Sequence, residues 1–579
     1  ISWSRWIEPY VDTGRELMVP WRVTHGEALY REVRFYYGPL APYLAAAVDI
    51  VAGRSFPARV ALAGLVALLH IEALRRLARR LLPDLRAAVV TSLVVATTFF
   101  LRPGGCHLFP YSLDTSIAVM AVTASLLLAS SGGSPARDRG AAGCLLAALL
   151  SRSEIGVVGI IALAVERFVG KDSAAKRRLP ALALLPLLLA AATYAILSAG
   201  TPLPVLKKEG WLTFLFLPPE FRSVYTSFAG VDRPGLRAAE LGLASIALLA
   251  IGLWLLLASL ATASARRRSA AAGHAIEIGA IAVLAAASIV RLRPPSAIRD
   301  IADLLPPLVR AVPPLLFAVA AVGLVRRSTD RTRASILPGV PDPVLLVSLF
   351  FAARLLLAAG YVGPYNGFYL PLPLLVSVVL LLRAAERIPE RLDIFPRPTA
   401  LPGLLVAALA LFLAVRTAAL ALLYRHPAWS RVPTPAGSLF VPEPVASATR
   451  AALVDLARRV PAGGKITGFP ETGFFNWTLG LANPLAQDQF FPGHLDGAAE
   501  DEAISRLRRD PPDAVVYADV LTIGHGRTAF GRDYLERLDR FVRESFPTAA
   551  SYGPGARAGA RIGDPGFFIE IRVPRVVPP

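Results

Sequence analysis

Long apolar segments recur from about residue 56 to residue 423, and they limit the fold of this chain more than any other feature. Several approach the roughly 20 residues that a helix needs to cross the hydrocarbon core of a bilayer. The chain of 579 residues is 54% hydrophobic, which is more apolar than soluble proteins of this size. The sequence therefore predicts a polytopic α-helical membrane protein with about 12 spans or half-spans.

Basic residues at the ends of the apolar segments orient the chain across the membrane. The first long segment, Phe56 to Leu77, ends among Arg75, Arg76, Arg79 and Arg80. Because Lys and Arg collect on the cytoplasmic side, residues before Phe56 are expected outside, and the later segments then alternate without contradiction. The same placement accounts for the net charge of +19 and argues against nucleic-acid binding, which needs a basic face.

The composition changes at Tyr424, and no later segment is long and apolar enough to cross a membrane. Periodicity predicts three strands and three helices, at Lys465–Phe469, Ala514–Ala518 and Phe567–Ile571, and at Val445–Arg459, Glu502–Arg509 and Asp533–Phe546. Such alternation indicates a small α/β domain outside the membrane. The sequence thus predicts two domains: residues 1–423 in the membrane, with a first outer loop over 1–55, and residues 424–579 as an extracytoplasmic domain.

The stretch Val11 to Pro42 is too polar to cross a bilayer and too long for a turn. It predicts a large outer loop that holds Asp12 near the lipid surface, where a carboxylate can deprotonate or orient an acceptor hydroxyl. Alternatively, Asp12 and Arg15 form an exposed helical pair, worth only tenths of a kcal/mol. The opening ISWSRWIEP is typical of the flank after a span, so we expect an earlier span or signal segment.

A charged break, Ser151-Arg152-Ser153-Glu154, divides the apolar segment Ala141 to Gly170. Both ends of this segment are basic, which predicts a helical hairpin rising from the cytoplasmic side with Arg152 and Glu154 at its tip. Charges there are costly unless they face a water-filled cavity. Arg152 could hold a phosphate oxygen and Glu154 a sugar hydroxyl, or the two could simply pair with each other.

Two further groups could bind a lipid-linked substrate. Lys207 and Lys208, in an expected outer loop, could clamp a lipid phosphate or attract anionic headgroups loosely. Tyr361, Tyr365 and Tyr369 indicate an interfacial aromatic belt, with the alternative that they line a sugar site.

Several other site classes find no support in the sequence. The two cysteines, Cys106 and Cys144, give neither a disulfide framework nor a metal-binding spacing. No P-loop, dinucleotide fingerprint, HExxH or nucleophile-elbow motif stands in a suitable context. If the protein is a transferase, a cytosolic nucleotide sugar is therefore not the expected donor.

The segment VDTGRE, followed by GEALYREVRFYYGPLAPYL and a helix with a basic inner flank, resembles the GT-C membrane glycosyltransferases. The protein O-mannosyltransferase-like and aminoarabinose lipid A transferase-like families, of the glycosyltransferase family 39 type, are the most similar. The resemblance covers about residues 1–423 and extends to SRSEIG and YNGFYLPLP. The tail, with FPETGFFNWTLGLANPLAQDQFFPGHL and later PPDAVVYAD, looks like the outer domain that often follows such cores.

The resemblance implies that Asp12 assists attack of an acceptor on a sugar linked to a lipid phosphate. Glu16 stands where a second acid of the loop is expected, although the spacing departs from the usual adjacent pair. Tyr37 occupies a position, before Gly38-Pro39, where family members often have Lys. The phosphate clamp is therefore assigned to Arg152, Lys207 or Lys208, and substrate binding is expected from Arg15, Glu16, Glu32, Tyr37, Arg152, Glu154, Lys207, Lys208 and Tyr365.

The sequence thus favours a glycosyltransferase in the bacterial inner membrane that uses a polyprenyl-phosphate sugar donor. Its partners are membrane lipids and an acceptor that is a protein, a lipid or a polysaccharide; a divalent metal is left open because metal dependence varies in the superfamily. One alternative is a non-enzymatic transporter or lipid flippase, which predicts charged broken helices in two matching halves, whereas only one such hairpin is visible. A scaffold acting through residues 424–579 is a second alternative, and it leaves the outer-loop charges unexplained.

Overall fold

A computed structural model describes most of the chain and leaves several segments out. The described residues are 5, 7–100, 107, 112–129, 134–169, 176–207, 305–329, 336–337, 340–357, 366–392, 401–425, 429–522, 526–557, 559–563 and 566–575, with scattered positions between 234 and 279. Two predicted spans, Ala238–Leu260 and Ile276–Val290, lie wholly or largely outside the described residues. Lys208, Tyr361 and Tyr365 lie outside them as well.

Helices dominate the first three quarters of the described chain. They are numbered here α1 (Thr13–Thr24), α2 (Leu40–Ala52), α3 (Phe56–Leu81), α4 (Asp84–Thr98), α5 (Leu113–Ala129), α6 (Pro135–Ser151), α7 (Ser153–Val169), α8 (Leu179–Ser198), α9 (Leu203–Leu206), α10 (Leu305–Thr329), α11 (Asp342–Leu357), α12 (Asn366–Tyr369), α13 (Pro371–Leu392) and α14 (Leu401–Arg425).

Local sequence signals set the ends of the long helices. The hydroxyl of Ser55 accepts a hydrogen bond from Ala58 N and so caps α3, and Pro57 lies in its first turn. Arg79 and Arg80 lie in the last turn, where their positive charge interacts favourably with the helix dipole.

Three described helices are long and apolar enough to cross a membrane, judged by length and composition. They are α3, α8 and the part Gly403–Leu422 of α14. Shorter apolar helices are α2, α5 and the part Ala311–Val325 of α10. The predicted membrane-spanning character of the chain therefore rests on helices that lie where the apolar segments were recognised.

The predicted charged hairpin is confirmed by the contacts between α6 and α7. A Cβ at Gly156 would lie 2.7 Å from Leu149 N, and Arg167 Nη2 donates to Asp138 Oδ1 at 3.0 Å, so the helices run antiparallel from a tip at Arg152. Each helix has 17 residues, or about 25 Å, which is less than the ~30 Å of a hydrocarbon core.

Residues 1–55, which are expected to form the first outer loop, contain two helices. Helix α1 follows Asp12, and α2 spans the Ala-rich segment between Pro39 and Gly53. Gly53 ends α2 with φ +65°, a conformation that favours glycine. Helix α2 has 13 residues, which is shorter than a membrane span. A search of the sequence for apolar segments of spanning length therefore missed it.

The C-terminal unit, residues 429–575, contains sheets and helices in alternation. Its elements are β1 (Trp429–Thr434), β2 (Gly437–Pro442), α15 (Val445–Arg459), β3 (Ile466–Phe469), α16 (Gly473–Leu479), α17 (Gly497–Arg509), β4 (Ala514–Ala518), α18 (Glu536–Ser545), β5 (Thr548–Tyr552) and β6 (Ile569–Arg572). Strands β1 and β2 form an antiparallel hairpin. The larger sheet has the order β3-β4-β6-β5, in which β3 and β4 are parallel and the other pairs antiparallel.

The N-terminal segment and the C-terminal unit share one hydrophobic cluster. Tyr10 and Met18 are buried in it together with Phe56 of α3 and with Phe474 and Trp477 of α16. A second, larger cluster fills the helical part. Since the shared cluster places α1 between α3 and α16, residues at the start of α1 face both parts of the protein.

Candidate active site

Asp12 lies immediately before α1, and residues of the C-terminal unit hold it there. Its backbone N–H donates to Glu471 Oε2 at 2.6 Å, and its Oδ1 accepts a hydrogen bond from Gln489 Nε2 at 2.7 Å. Arg15 Nη1 lies 3.4 Å from the same oxygen, and the Asp12 side chain remains 23% exposed. The carboxylate is therefore fixed in position while part of it stays accessible.

The backbone of Asp12 adopts the left-handed conformation, with φ +60° and ψ −21°. Non-glycine residues rarely occupy this region, and such strain concentrates at functional sites. The aspartate side chain does not cap α1, although Asp is a preferred N-cap residue. Its carboxylate is thus available for contacts other than those of its own helix.

Glu471 is fully buried beneath Asp12. Its Oε1 accepts a second hydrogen bond from Arg15 N at 3.2 Å. Burial, followed by the negative charge of Asp12, raises the pKa of Glu471 to about 8, although Gln489 and Arg15 act in the opposite direction. The pKa of this carboxyl therefore lies well above the ordinary value for a glutamate.

Arg15 and Glu16 extend the polar contacts from Asp12 toward α5. Arg15 Nη2 donates to Glu16 Oε1 at 3.0 Å, and Glu16 Oε2 accepts from Leu113 N at 3.3 Å. Burial raises the pKa of Glu16 to about 7 against the effect of Arg15, and the charge of Asp114 adds to the rise. The alternative of an exposed Asp12–Arg15 pair is wrong, because Arg15 is buried.

Tyr37 connects Arg15 with the tip of the helical hairpin. The guanidinium carbon of Arg152 lies 3.9 Å from the centroid of the Tyr37 ring, and that of Arg15 lies 5.3 Å from it. The next residue, Gly38, donates its N–H to Ser151 O at 3.0 Å, and any Cβ there would overlap the backbone of the hairpin. Two arginines therefore border the Tyr37 ring.

Arg152 is buried and paired with acids on two helices. Its Nε lies 2.8 Å from Asp114 Oδ2 of α5 and donates to Thr115 Oγ1 at 3.0 Å. Its Nη1 donates to Glu154 Oε1 at 3.3 Å. The expected pairing of Arg152 with Glu154 is present, but the more buried partner is Asp114, which the sequence analysis did not single out.

Lys207 lies next to this region, at the end of α9. The preceding residue, Leu206, packs with Tyr30 and Phe35 in a small cluster that Tyr37 borders. Lys207 itself is exposed. Because Lys207 lies beside the cluster that Tyr37 borders, it stays a candidate phosphate ligand.

Glu32 takes part in local contacts. Its Oε2 accepts a hydrogen bond from Ala28 N at 2.6 Å, and its Oε1 lies 3.2 Å from Arg31 Nη2. Over the part of the chain that the structure describes, these contacts do not connect Glu32 with Asp12. A role in shaping the loop accounts for them.

No three His, Cys, Asp or Glu side chains of the described residues are grouped so that they could hold a metal ion. The acids near Asp12 are instead engaged separately, Glu471 by backbone N–H groups, Glu16 by Arg15 and Asp114 by Arg152. This arrangement does not fit the oxygen cage that a divalent cation takes, and no step below depends on a metal.

Sequence reasoning missed Glu471, Gln489 and Asp114. Glu471 and Gln489 belong to the segment FPETGFFNWTLGLANPLAQDQFF, which was noted for its resemblance but not for these side chains. Their distance of more than 450 residues from Asp12 along the chain hides the contact. The one available signal for Asp114 was a carboxylate at the start of an apolar segment, which is costly there without a partner.

Two crystal structures of ArnT from Cupriavidus metallidurans are similar to this chain over nearly its whole length. The apo structure has a TM-score of 0.43 and 17% identity, covering 98% of this chain and 95% of that one. The structure bound to undecaprenyl phosphate has a TM-score of 0.43 and 16% identity, covering 100% and 96%. A crystal structure of the Archaeoglobus fulgidus oligosaccharyltransferase, in complex with Zn and sulfate, has a TM-score of 0.48 and 12% identity, covering 97% and 70%.

Neither a protein-family model nor a curated protein matches the chain. ArnT and the archaeal oligosaccharyltransferase are both GT-C proteins, the class that the sequence resembles. With TM-scores below 0.5 and identities below 20%, these likenesses carry no functional argument of their own. The assignment of function therefore depends on the geometry around Asp12.

Proposed function

We propose that this protein transfers a sugar from a polyprenyl-phosphate-linked donor to an acceptor at the outer face of the bacterial cytoplasmic membrane. The observation that carries the proposal is a partly exposed carboxylate, Asp12, joined by contacts through Arg15 and Tyr37 to a second buried arginine, Arg152. Such a site offers a base and fixed positive charge within one small region.

In this reaction Asp12 acts as the general base. The acceptor hydroxyl loses its proton to the Asp12 carboxylate while its oxygen forms a bond to the anomeric carbon of the sugar. The bond between that carbon and the phosphate oxygen breaks, and the polyprenyl phosphate leaves with the electron pair. The hydrogen bond from Gln489 and the ion pair with Arg15 hold the base in place during the attack.

Arg15 and Arg152 are nearly fully buried and are proposed to stabilise the leaving phosphate through their positive charge, with Lys207 and Lys208 as its ligands. Fixed cations are effective because negative charge accumulates on the phosphate as the bond breaks. The positive charge of Arg15 is less compensated while Glu16 and Glu471 hold protons, whereas Arg152 is paired with Asp114 and Glu154. Tyr37, Glu154 and Tyr365 are proposed to line the same donor site.

The proposal assigns residues 1–423 to a membrane domain and residues 424–579 to an extracytoplasmic domain. The basic last turn of α3, with Arg79 and Arg80, supports a cytoplasmic end for that helix. Asp12 then lies on the opposite side, beside the C-terminal unit. The acceptor is a protein, a lipid or a polysaccharide that reaches this side of the membrane.

The proposed donor class is tested with the purified protein and a panel of polyprenyl-phosphate sugars, with nucleotide sugars as controls. Release of polyprenyl phosphate is followed by mass spectrometry. We expect polyprenyl phosphate to be released from at least one lipid-linked donor. We expect no cleavage of the nucleotide sugars. Movement of an intact fluorescent lipid across vesicles, without cleavage of any donor, would contradict the proposal and favour a flippase.

A further inference from the structure

We propose that Glu471 and Gln489 of the C-terminal unit are positioning residues for Asp12. The inference rests on the proposed function, in which Asp12 is the base. The membrane-spanning part would then carry the reacting carboxylate, while the C-terminal unit sets where that carboxylate points. Neither residue needs to touch the substrate for this role.

The first support is the way in which α1 begins. The first N–H groups of a helix lack partners within the helix, and an Asp at the N-cap usually accepts from one of them. Here the Glu471 carboxyl accepts from Asp12 N at 2.6 Å and from Arg15 N at 3.2 Å. Because the Glu471 carboxyl caps the helix in place of the Asp12 side chain, the Asp12 carboxylate is not needed for capping and stays partly exposed.

The second support is the fixed orientation of the Gln489 amide. Its Oε1 accepts from Arg15 Nη1 at 3.1 Å, and its Nε2 donates to Asp12 Oδ1 at 2.7 Å and to Glu471 Oε2 at 3.0 Å. A guanidinium only donates, so the carbonyl oxygen must face Arg15 and the amide nitrogen must face the two acids. The amide therefore keeps the two acids apart and restrains Asp12.

The third support is the difference in accessibility between the three side chains. Glu471 is 0% exposed and Gln489 is 3% exposed, whereas the Asp12 side chain is 23% exposed. The charged groups that face Glu471 are Asp12 and Arg15, with Glu16 on the far side of Arg15. A substrate can consequently reach Asp12 but not its two supports, which is the arrangement expected for positioning residues.

The backbone around the supports is itself constrained. Phe490 N donates to Pro470 O at 2.8 Å, which ties the loop that carries Gln489 to the loop that carries Glu471. A Cβ at Gly473 would lie 2.9 Å from Met18 Cγ, so α16 approaches α1 closely. The two supports are therefore part of one body with the start of α1.

The test compares steady-state transfer by variants of the full-length protein over a range of pH. Gln489→Glu places another carboxylate against Asp12 and disfavours its charged form, so the acid limb of the kcat profile should move up by about one pH unit. Glu471→Asp shortens the side chain, so that its carboxylate no longer reaches the N–H groups of Asp12 and Arg15. Glu471→Gln replaces one accepting oxygen by an amide N–H, which then faces one of these backbone N–H groups. For both we expect kcat to fall about 10- to 100-fold while the donor KM changes less than about 3-fold.

Glu500→Gln is the matched control, because Glu500 is also a buried acid that accepts from a backbone N–H in the C-terminal unit. Its kcat and pH profile should equal those of the wild type even if its Tm is lower. A wild-type pH profile for Gln489→Glu, or kcat within about 2-fold of wild type for both Glu471 variants, would overturn the inference.

A second readout does not depend on catalysis. The effects of Asp12→Ala and Gln489→Leu on Tm should be non-additive because each variant removes the contact between the two side chains, and additive effects would contradict the proposed contact. Wild-type turnover by Asp12→Asn overturns the proposed function instead. Loss of turnover in Asp12→Asn together with unaltered Glu471 and Gln489 variants overturns only the positioning role.

Discussion

Gly14 determines how closely the start of α1 approaches the C-terminal unit. A Cβ at this position would lie 3.0 Å from both Glu471 Oε1 and Gly473 N. Neither neighbour can move away easily, because hydrogen bonds hold Glu471 and because Gly473 N is a backbone atom of α16. The short distance between Asp12 and Glu471 therefore depends on a residue without a side chain.

Gly14→Ala should lower the free energy of unfolding by about 1 to 3 kcal/mol, because the added methyl group is forced against fixed atoms. It should also reduce transfer, since α1 must move away from Glu471. Denaturant titration and the transfer assay check the two effects. The control is Gly143→Ala in α6, where the added Cβ meets open space. This variant should raise the free energy of unfolding by about 0.5 to 1 kcal/mol. Equal stability of the two variants would contradict the close approach.

Residue-level chemistry could be predicted from the sequence only where the signal was local. Asp12, Arg15, Glu16 and Tyr37 lie in one polar stretch, and the structure brings them together in the site. Glu471 contacts Asp12 from a position 459 residues away, and no periodicity or spacing records such a contact. Sequence reasoning therefore predicted Asp12 and the residues on one side of it.

At the scale of elements, the tip of the α6–α7 hairpin is attached to α5 by a buried ion pair. Arg152 and Asp114 have side chains that are 1% and 0% exposed. Removing one partner of such a pair leaves an uncompensated charge, which is far more costly than replacing both. The pair therefore fixes where the hairpin tip, and with it the Tyr37 ring, lies.

Arg152→Leu should destabilise the protein by about 3 to 5 kcal/mol, and the double variant Arg152→Leu with Asp114→Leu should recover part of that loss. Thermal unfolding in detergent measures both variants. Arg79→Leu is the control, because the Arg79–Asp84 pair is exposed and should be worth less than about 1 kcal/mol. A loss for Arg152→Leu no larger than that of the control would show that Asp114 does not need its partner.

Elements with strong periodicity were predicted well, and short ones were not. The predicted helix Val445–Arg459 and strand Ala514–Ala518 have the same bounds in the structure. Helix α2 was missed because it is shorter than a span, and β1, β2 and β5 were missed because half-buried strands carry a weak pattern. Periodicity reports burial over many residues, so it fails where an element is short or partly exposed.

At the scale of the whole molecule, two buried acids connect protonation with folding. The ordinary pKa of a glutamate is near 4.5, whereas Glu16 has a pKa of about 7 and Glu471 of about 8. At a pH above about 4.5 but below these raised pKa values, Glu16 and Glu471 keep their protons in the folded protein, whereas the unfolded chain has released them. Stability from these groups is thus fully present below about pH 4.5 and is lost as the pH rises through 7 to 8.

The apparent Tm of the wild type should therefore fall as the pH is raised from about 5 to about 8, and Glu471→Gln should show a weaker fall because it lacks one of the titrating groups. Thermal unfolding in buffers of equal ionic strength checks this. Glu502→Gln is the control, since Glu502 lies on the exposed side of α17. An identical pH slope for wild type and Glu471→Gln would contradict the raised pKa.

The most direct measurement of the central claim is transfer by Asp12→Asn with a polyprenyl-phosphate donor. Asparagine keeps an oxygen that can accept from Gln489 but cannot take a proton from the acceptor. We predict that turnover falls about 100- to 10,000-fold with unchanged Tm and donor binding, while the exposed Asp84→Asn control keeps wild-type turnover. Wild-type turnover by Asp12→Asn would contradict the assignment of Asp12 as the base.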